Sequence, residues 1–234
     1  MEKRRGFGFL SGNALKLIAL VSMTLDHVGL ELFPDLEIFR ILGRLALPIF
    51  AYMIAEGCTY TKNKWKYLGL TFGVGVLCQI VYFVAMESLY MCILITFTLS
   101  ILLIYALMWL EKRRDLLSVL VFVLVLAAEL YIVEILPRTL LSGTDFAIDY
   151  GQYGVILPVL VYMGKKKHTK LLFLTLGLLG LALTSPFVVQ WYAFLALIPL
   201  AFYNGSRGKW RLKYLFYVYY PLHLGIIYLI SLII

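Results

Sequence analysis

The chain has 234 residues, of which 62% are hydrophobic and only 15% are charged. A soluble domain is about half apolar and a quarter charged, so this composition excludes an ordinary soluble enzyme and indicates a polytopic membrane protein. The formal net charge of +8 does not indicate nucleic-acid binding, because the basic residues form short clusters between apolar runs. Clusters of this kind are typical of cytoplasmic loops.

Apolar runs long enough to form helices follow one another along the chain. A membrane-spanning helix needs roughly 20 apolar residues. The runs predict helices at residues 12–33, 37–59, 67–86, 90–110, 116–136, 150–164, 170–185, 187–203 and 213–234. We therefore predict an all-α integral membrane protein with about nine spanning helices.

The basic clusters set the predicted orientation. They precede the first run and follow every second run, at residues 3–5, 62–66, 112–114, 165–170 and 207–213. If the first helix enters from the cytoplasm, all five clusters lie on the cytoplasmic side, in accord with the positive-inside rule. We predict a cytoplasmic N-terminus with a basic tail over residues 1–11, and a single transmembrane domain over residues 12–234. The expected location is the cell (cytoplasmic) membrane, with membrane lipids as neighbours.

An Asp-His pair and two arginines lie inside the first two apolar runs. Asp26 and His27 belong to the first, and Arg40 and Arg44, four residues apart on one helix face, belong to the second. They could be structural, with Arg40 at the interface and Asp26 paired with Arg44. Charges inside a membrane are nevertheless expensive and by default mark a functional site. Two guanidinium groups and one carboxylate leave an excess positive charge beside a histidine, which suits a reaction that develops a buried negative charge.

Pro48 lies in the same run as the two arginines. Its ring cannot donate to the carbonyl of Arg44, so we expect the helix to be distorted there. Glu56 lies further along, where it either faces an inner vestibule or marks the membrane edge. In the last run, YYPLHL places His223 after Pro221. His223 is either a packing element or, with Tyr220, part of a cavity wall.

Two polar segments between the later runs could contact substrates. TDFAIDYGQYG carries Asp149 and Tyr150 at the start of a predicted helix, where they either cap the helix or meet an acceptor. FYNGSRGKWRLK carries Asn204 and Arg207 in a glycine-bearing turn. Such a turn offers positive charge and backbone N–H groups to phosphates, although it also fits an ordinary cytoplasmic loop. We find no HExxH metal motif, and no metal is expected.

Together these segments resemble the TraX family, which is named for the membrane protein that acetylates the N-terminus of F-type pilin. The resemblance covers roughly residues 12–230 and rests on LKLIALVSMTLDHVG, FRILGRLALPIFAYMIAEG, DYGQYGVILP, FYNGSRG and YLFYVYYPLHL in this order. The family is related to transmembrane acyltransferases that carry an intramembrane catalytic histidine. The resemblance therefore implies transfer of an acetyl group from cytoplasmic acetyl-CoA to an amine or hydroxyl on the far side. The acceptor would be an envelope peptide, protein or glycan, and the chain could act as an oligomer.

We expect three groups of residues to carry this activity. The expected catalytic residues are His27, Asp26, Arg44 and Arg40. The expected substrate-binding residues are His223, Tyr220, Tyr150, Asp149 and Glu56. The expected CoA-binding residues are Asn204, Arg207, Lys64 and Lys166. The alternative is a proton-coupled transporter of a small anionic or polar solute, which would also bury Asp, His and Arg; many transporters show inverted repeats, and this sequence shows none.

Overall fold

A computed structural model describes residues 8–209 and 212–233 of the chain. Residues 1–7 of the predicted basic tail (residues 1–11) and Arg211 lie outside this part. Within the described residues the structure is helical, and its only β pairings are two isolated bridges, Leu10 with Tyr203 and Met91 with Ile148. The all-α prediction is therefore confirmed for the described chain.

The described part of the chain forms ten α-helices. They are α1 (Gly12–Glu31), α2 (Glu37–Gly43), α3 (Ala46–Tyr60), α4 (Lys64–Met86), α5 (Ile93–Arg113), α6 (Leu116–Leu130), α7 (Gly151–Met163), α8 (Lys167–Thr184), α9 (Leu197–Ala201) and α10 (Lys213–Ser231). A π-helical turn (Tyr131–Ile135) and a short 3-10 turn (Leu136–Arg138) continue α6. A 3-10 helix (Val188–Ala196) precedes α9.

Two predicted helices differ from the observed ones. The run 37–59 forms two helices, because α2 ends at Gly43 and α3 begins at Ala46. The break lies at Arg44, as expected from Pro48, which has no N–H to donate to the Arg44 carbonyl. The run 187–203 is mostly 3-10 helix rather than α-helix. Such long 3-10 segments are uncommon, and apolar periodicity does not distinguish them from α-helix.

Within residues 8–209 and 212–233, four helical stretches are long and apolar enough to cross a membrane: Glu37–Tyr60, Lys64–Val84, Ile93–Arg113 and Leu116–Arg138. Shorter apolar helices cover Gly151–Met163, Val188–Ala201 and Leu215–Ser231. Many large apolar side chains are exposed; on α6, Leu116, Leu120 and Leu124 recur at helical spacing. An apolar face of this kind is expected to contact lipid. The chain is thus a membrane protein, while the count of nine spans and the cytoplasmic N-terminus stay predictions.

The chain divides into two compact units. Unit 1 comprises Met1–Met53 and Lys166–Ile234, and unit 2 comprises Ile54–Lys165. In unit 1, α1 packs against α2 and α10, and the 3-10 helix packs against α2 and α8. In unit 2, α5 lies centrally and packs against α4, α6 and α7. The prediction of a single domain over residues 12–234 stays a prediction.

Candidate active site

Two glycines bring α1 and α2 of unit 1 into close contact. A Cβ atom added at Gly43 would lie 2.3 Å from Oδ1 of Asp26 and 2.7 Å from its Cα. A Cβ atom added at Gly29 would lie 2.5 Å from Cβ of Phe39. The two helix backbones can approach this closely only because neither glycine carries a side chain. The Asp26 carboxylate is thereby held against the arginine-bearing face of α2.

Asp26 lies between the two arginines predicted from the sequence. Arg44 donates to both oxygens of the Asp26 carboxylate. Nη1 of Arg40 lies 2.9 Å from Oδ2 of Asp26 and also donates to the Asp26 backbone carbonyl, at 3.2 Å. The Arg44 side chain is 8% exposed, whereas that of Arg40 is 26% exposed. The three side chains together carry one net positive charge.

Arg44 has a further partner that sequence reasoning missed. Its Nη1 donates to Oε1 of Gln190 at 3.4 Å, and Gln190 is buried. Gln190 lies in the 3-10 helix, which packs against α2. Its position as a polar residue within a predicted apolar span (VVQWY) is the signal that would have found it. The contact therefore joins the Arg44 guanidinium to the 3-10 helix as well as to Asp26 of α1.

His27 lies beside this charged cluster and contacts His223 of α10. The two imidazole rings are arranged edge to face, with their centroids 5.1 Å apart. Nδ1 of His27 lies 2.8 Å from the Met23 carbonyl, and Nδ1 of His223 lies 3.0 Å from the Tyr219 carbonyl. A carbonyl can only accept, so in each ring Nδ1 carries the hydrogen. In the neutral form of each ring, Nε2 therefore holds the lone pair.

His223 is held by the aromatic residues that precede it in α10. The Tyr219 ring stacks on the imidazole with centroids 5.3 Å apart, and Tyr220 packs edge to face at 5.6 Å. The Tyr219 hydroxyl lies 2.6 Å from Oγ1 of Thr24, which itself donates to the Leu20 carbonyl. Because Thr24 has one hydroxyl hydrogen, Tyr219 is the donor between the two. This bond ties α10 to α1 next to the histidine pair.

The predicted CoA-binding residues of unit 1 lie in the loop before α10 and at the start of α8. Oδ1 of Asn204 accepts from the N–H and the hydroxyl of Ser206, at 2.8 and 2.7 Å. The Asn204 N–H donates to the Leu10 carbonyl, at 2.9 Å. Both N–H groups are therefore already hydrogen-bonded within the protein. The side chains of Arg207 and Lys166 are exposed and could contact a phosphate group.

The remaining predicted site residues belong to unit 2. Tyr150 has a left-handed backbone (φ 58°) just before α7, and Oδ1 of Asp149 accepts from the Tyr90 hydroxyl at 2.8 Å. Burial and the neighbouring Asp149 carboxylate raise the pKa of the Tyr90 hydroxyl above its ordinary value. Glu56 is buried in α3, and the Lys64 ammonium lies 5.4 Å from the centre of the Tyr105 ring. Roles for these residues in binding an acceptor or CoA stay predictions.

Metal ligation has no obvious place in the described structure. Among residues 8–209 and 212–233, no three His, Cys, Asp or Glu side chains come together as a metal-binding group.

A family model described as TraX protein matches residues 11–231. The chain belongs to the TraX family. It is 30% identical to a protein of Dichelobacter nodosus described as "Probable fimbrial assembly protein FimC, serogroup H1", over 91% of this chain and 92% of that protein. A shorter match, 44% identical over 52 residues, is to "Uncharacterized protein RP591" of Rickettsia prowazekii (strain Madrid E), and covers 22% of this chain and 21% of that protein. No solved structure matches.

Proposed function

We propose that this TraX-family protein is a membrane-embedded acyltransferase that moves an acetyl group from acetyl-CoA to an acceptor amine or hydroxyl. The observation that carries the proposal is the pairing of a histidine of fixed tautomer with an adjacent excess of positive charge. Nδ1 of His27 donates to the Met23 carbonyl, so the lone pair on Nε2 can act as the base. Arg40 and Arg44, with Asp26, supply one net positive charge in a poorly solvated place.

In the proposed reaction, His27 acts as the general base. Its Nε2 removes the proton of the acceptor N–H or O–H while the acceptor atom bonds to the acetyl carbonyl carbon. The Met23 carbonyl orients the ring and stabilises the imidazolium that forms, because Nδ1–H already donates to it. When the carbonyl re-forms, the carbon–sulfur bond breaks, and His27 returns the proton to the departing CoA sulfur. No net proton is left on the enzyme.

The arginine cluster stabilises the negative charge that develops on the acetyl oxygen. Cations fixed in a poorly solvated site stabilise such an oxyanion strongly, since they need little reorganisation during the reaction. The charges of Asp26 and Arg40 both act on the His27 imidazole, so the base and the cluster are electrically coupled. Asp26 holds both guanidinium groups in position and does not orient the His27 ring. Arg40, as the more exposed arginine, is our choice for direct contact with substrate.

The donor and acceptor are proposed to approach from opposite sides. In unit 1, Arg207 and Lys166 are exposed cations suited to the phosphates of CoA, so CoA binding is expected to weaken as salt rises. The exposed Lys64 of unit 2 stays a predicted CoA contact. The description of the Dichelobacter relative as a probable fimbrial assembly protein supports an envelope protein, such as a fimbrial subunit, as acceptor. We propose a cytoplasmic membrane location with nine spans and a cytoplasmic N-terminus.

Acetyl transfer by the purified protein tests this function. The protein is reconstituted in vesicles with acetyl-labelled acetyl-CoA and an envelope extract from cells that lack the gene. We expect protein-dependent appearance of label in the extract with stoichiometric release of CoA thiol, and mass spectrometry then identifies the acceptor. CoA release without labelled acceptor would indicate hydrolysis. If neither CoA thiol nor labelled acceptor is formed, the proposed activity is contradicted.

A further inference from the structure

Glu129 is a buried carboxyl group in unit 2 to which sequence reasoning assigned no role. It is 2% exposed and lies near the end of α6. Val125 and Val133, one turn before and after it, belong to an apolar cluster that also contains Leu103 and Val155. A carboxylate in such surroundings is stable only when its oxygens are hydrogen-bonded and its charge is paired.

The partners of Glu129 satisfy only part of this requirement. Nε2 of Gln152, in α7, donates to Oε2 of Glu129 at 3.1 Å. Oε1 of Glu129 and Oε1 of Gln152 are both buried and have no hydrogen-bond partner among the described residues. Within residues 8–209 and 212–233, no basic side chain forms an ion pair with Glu129. The nearby acid Glu134 differs, because it pairs with Arg138 at 2.7 Å.

The helix is irregular immediately after Glu129. Residues Tyr131–Ile135 form a π-helical turn, in which the Leu136 N–H donates to the Tyr131 carbonyl. A π turn accommodates an extra residue at some cost and is frequently found at functional sites. It provides a second observation, independent of the unpartnered oxygens, that this part of unit 2 is built for more than packing.

We propose that Glu129 and Gln152 form a binding site for a small ammonium group, such as that of a primary amine. The two unpartnered oxygens accept two N–H bonds, and the carboxylate neutralises the positive charge. The chemistry favours an ammonium over a metal cation, because the pair offers two free oxygens whereas a metal ion such as Ca²⁺ takes six or more ligands. It also excludes a quaternary ammonium, which has no N–H to donate.

Thermal unfolding of the full-length protein in detergent tests this site without relying on acyl transfer. Methylammonium chloride is added at constant total chloride, with sodium chloride as the balancing salt. Binding to the folded state alone should raise the unfolding temperature saturably, by about 3 °C at ten times the dissociation constant. Tetramethylammonium chloride, which has the charge but no N–H group, should give no such rise.

Three variants make the test specific. Glu129→Gln should abolish the methylammonium response, whereas Glu134→Gln, which removes an equal charge from the same segment, should retain it. Gln152→Leu keeps the carboxylate but removes one acceptor, so the same rise in unfolding temperature should need about tenfold more methylammonium. This variant tests the site if Glu129→Gln does not fold. An equal rise with tetramethylammonium, a rise that persists in Glu129→Gln, or no rise in the folded wild-type protein would overturn the proposal. None of these results would bear on the acyltransferase.

Discussion

Asp26 in unit 1 and Glu129 in unit 2 are both acids within apolar helices, and they are satisfied in different ways. Asp26 receives two guanidinium groups, from Arg40 of α2 and from Arg44 directly after it, including bonds to both of its oxygens. Glu129 receives one amide N–H and retains an unpartnered oxygen. The charge of Asp26 is therefore compensated by the protein itself, whereas the ligand that we propose for Glu129 comes from outside. A buried acid is thus better interpreted from its partners than from its burial.

Removing Asp26 is expected to cause the largest loss of stability. Asp26→Ala would leave Arg40 and Arg44 without their carboxylate partner, and breaking a buried pair typically costs about 3–5 kcal/mol. The measurement is the free energy of unfolding in mixed micelles. Glu134→Gln, which breaks a more exposed pair with Arg138, should cost about 0–1 kcal/mol and serves as control. Equal losses in the two variants would show that the Asp26 cluster is not a special stabilising feature.

Disturbing the contact between α1 and α2 is expected to cause the second-largest loss of stability. Gly43→Ala places a Cβ atom against Asp26, and overpacking of this kind costs about 1–3 kcal/mol. It should also lower acetyl transfer, because Asp26 holds both arginines. Gly73→Ala in α4 adds the same methyl group where no heavy atom lies within 4 Å. That control should transfer acetyl like the wild type, and it should be as stable or up to about 1 kcal/mol more stable, because alanine favours a helix interior over glycine. A Gly43→Ala protein as stable as this control would contradict the close contact.

The hydroxyl bond between α10 and α1 is expected to have a smaller effect. Tyr219→Phe removes the bond to Thr24 but keeps the ring that stacks on His223. We expect a loss of about 1 kcal/mol in the free energy of unfolding. A double-mutant cycle with Thr24→Val measures the coupling directly. Additive losses from the two substitutions would show that the two hydroxyls do not interact.

The smallest effect is expected at the Asp145 loop of unit 2. Hydrogen bonds from the Ser88 hydroxyl and the Leu89 N–H lower the pKa of Asp145 below its ordinary value. Its stabilising contribution is thus complete above the ordinary aspartate pKa of about 3.9 and is lost as the pH falls through the lower folded value. Hydrogen exchange at the Leu89 amide, corrected for intrinsic rates, should show protection that disappears below this range. In Asp145→Asn, protection should not depend on pH there.

Much of the helical pattern was predictable from the sequence, because apolar runs and charged loops follow directly from the membrane environment. The pairing of Asp26 with Arg44 was also accessible, since the short connection after α1 makes the two helices neighbours. Gln190 and Glu129 were missed because each is a single polar residue within an apolar run. Their partners lie on helices distant in sequence, at Arg44 and Gln152. The 3-10 helix was missed because its apolar composition matches that of an α-helix.

The rate of acetyl transfer by His27→Ala tests the central claim most directly. The matched control is His168→Ala, which removes an exposed histidine at the start of α8. Both variants are compared with the wild-type protein in the vesicle assay, after their unfolding temperatures and CoA binding have been measured. We predict that His27→Ala stays folded and binds CoA but that its rate of acetyl transfer falls by roughly 10²-fold or more, the usual scale of general-base catalysis. The rate of His168→Ala should equal that of the wild type. Near-normal transfer by a folded His27→Ala protein would contradict the account and remove His27 from the mechanism.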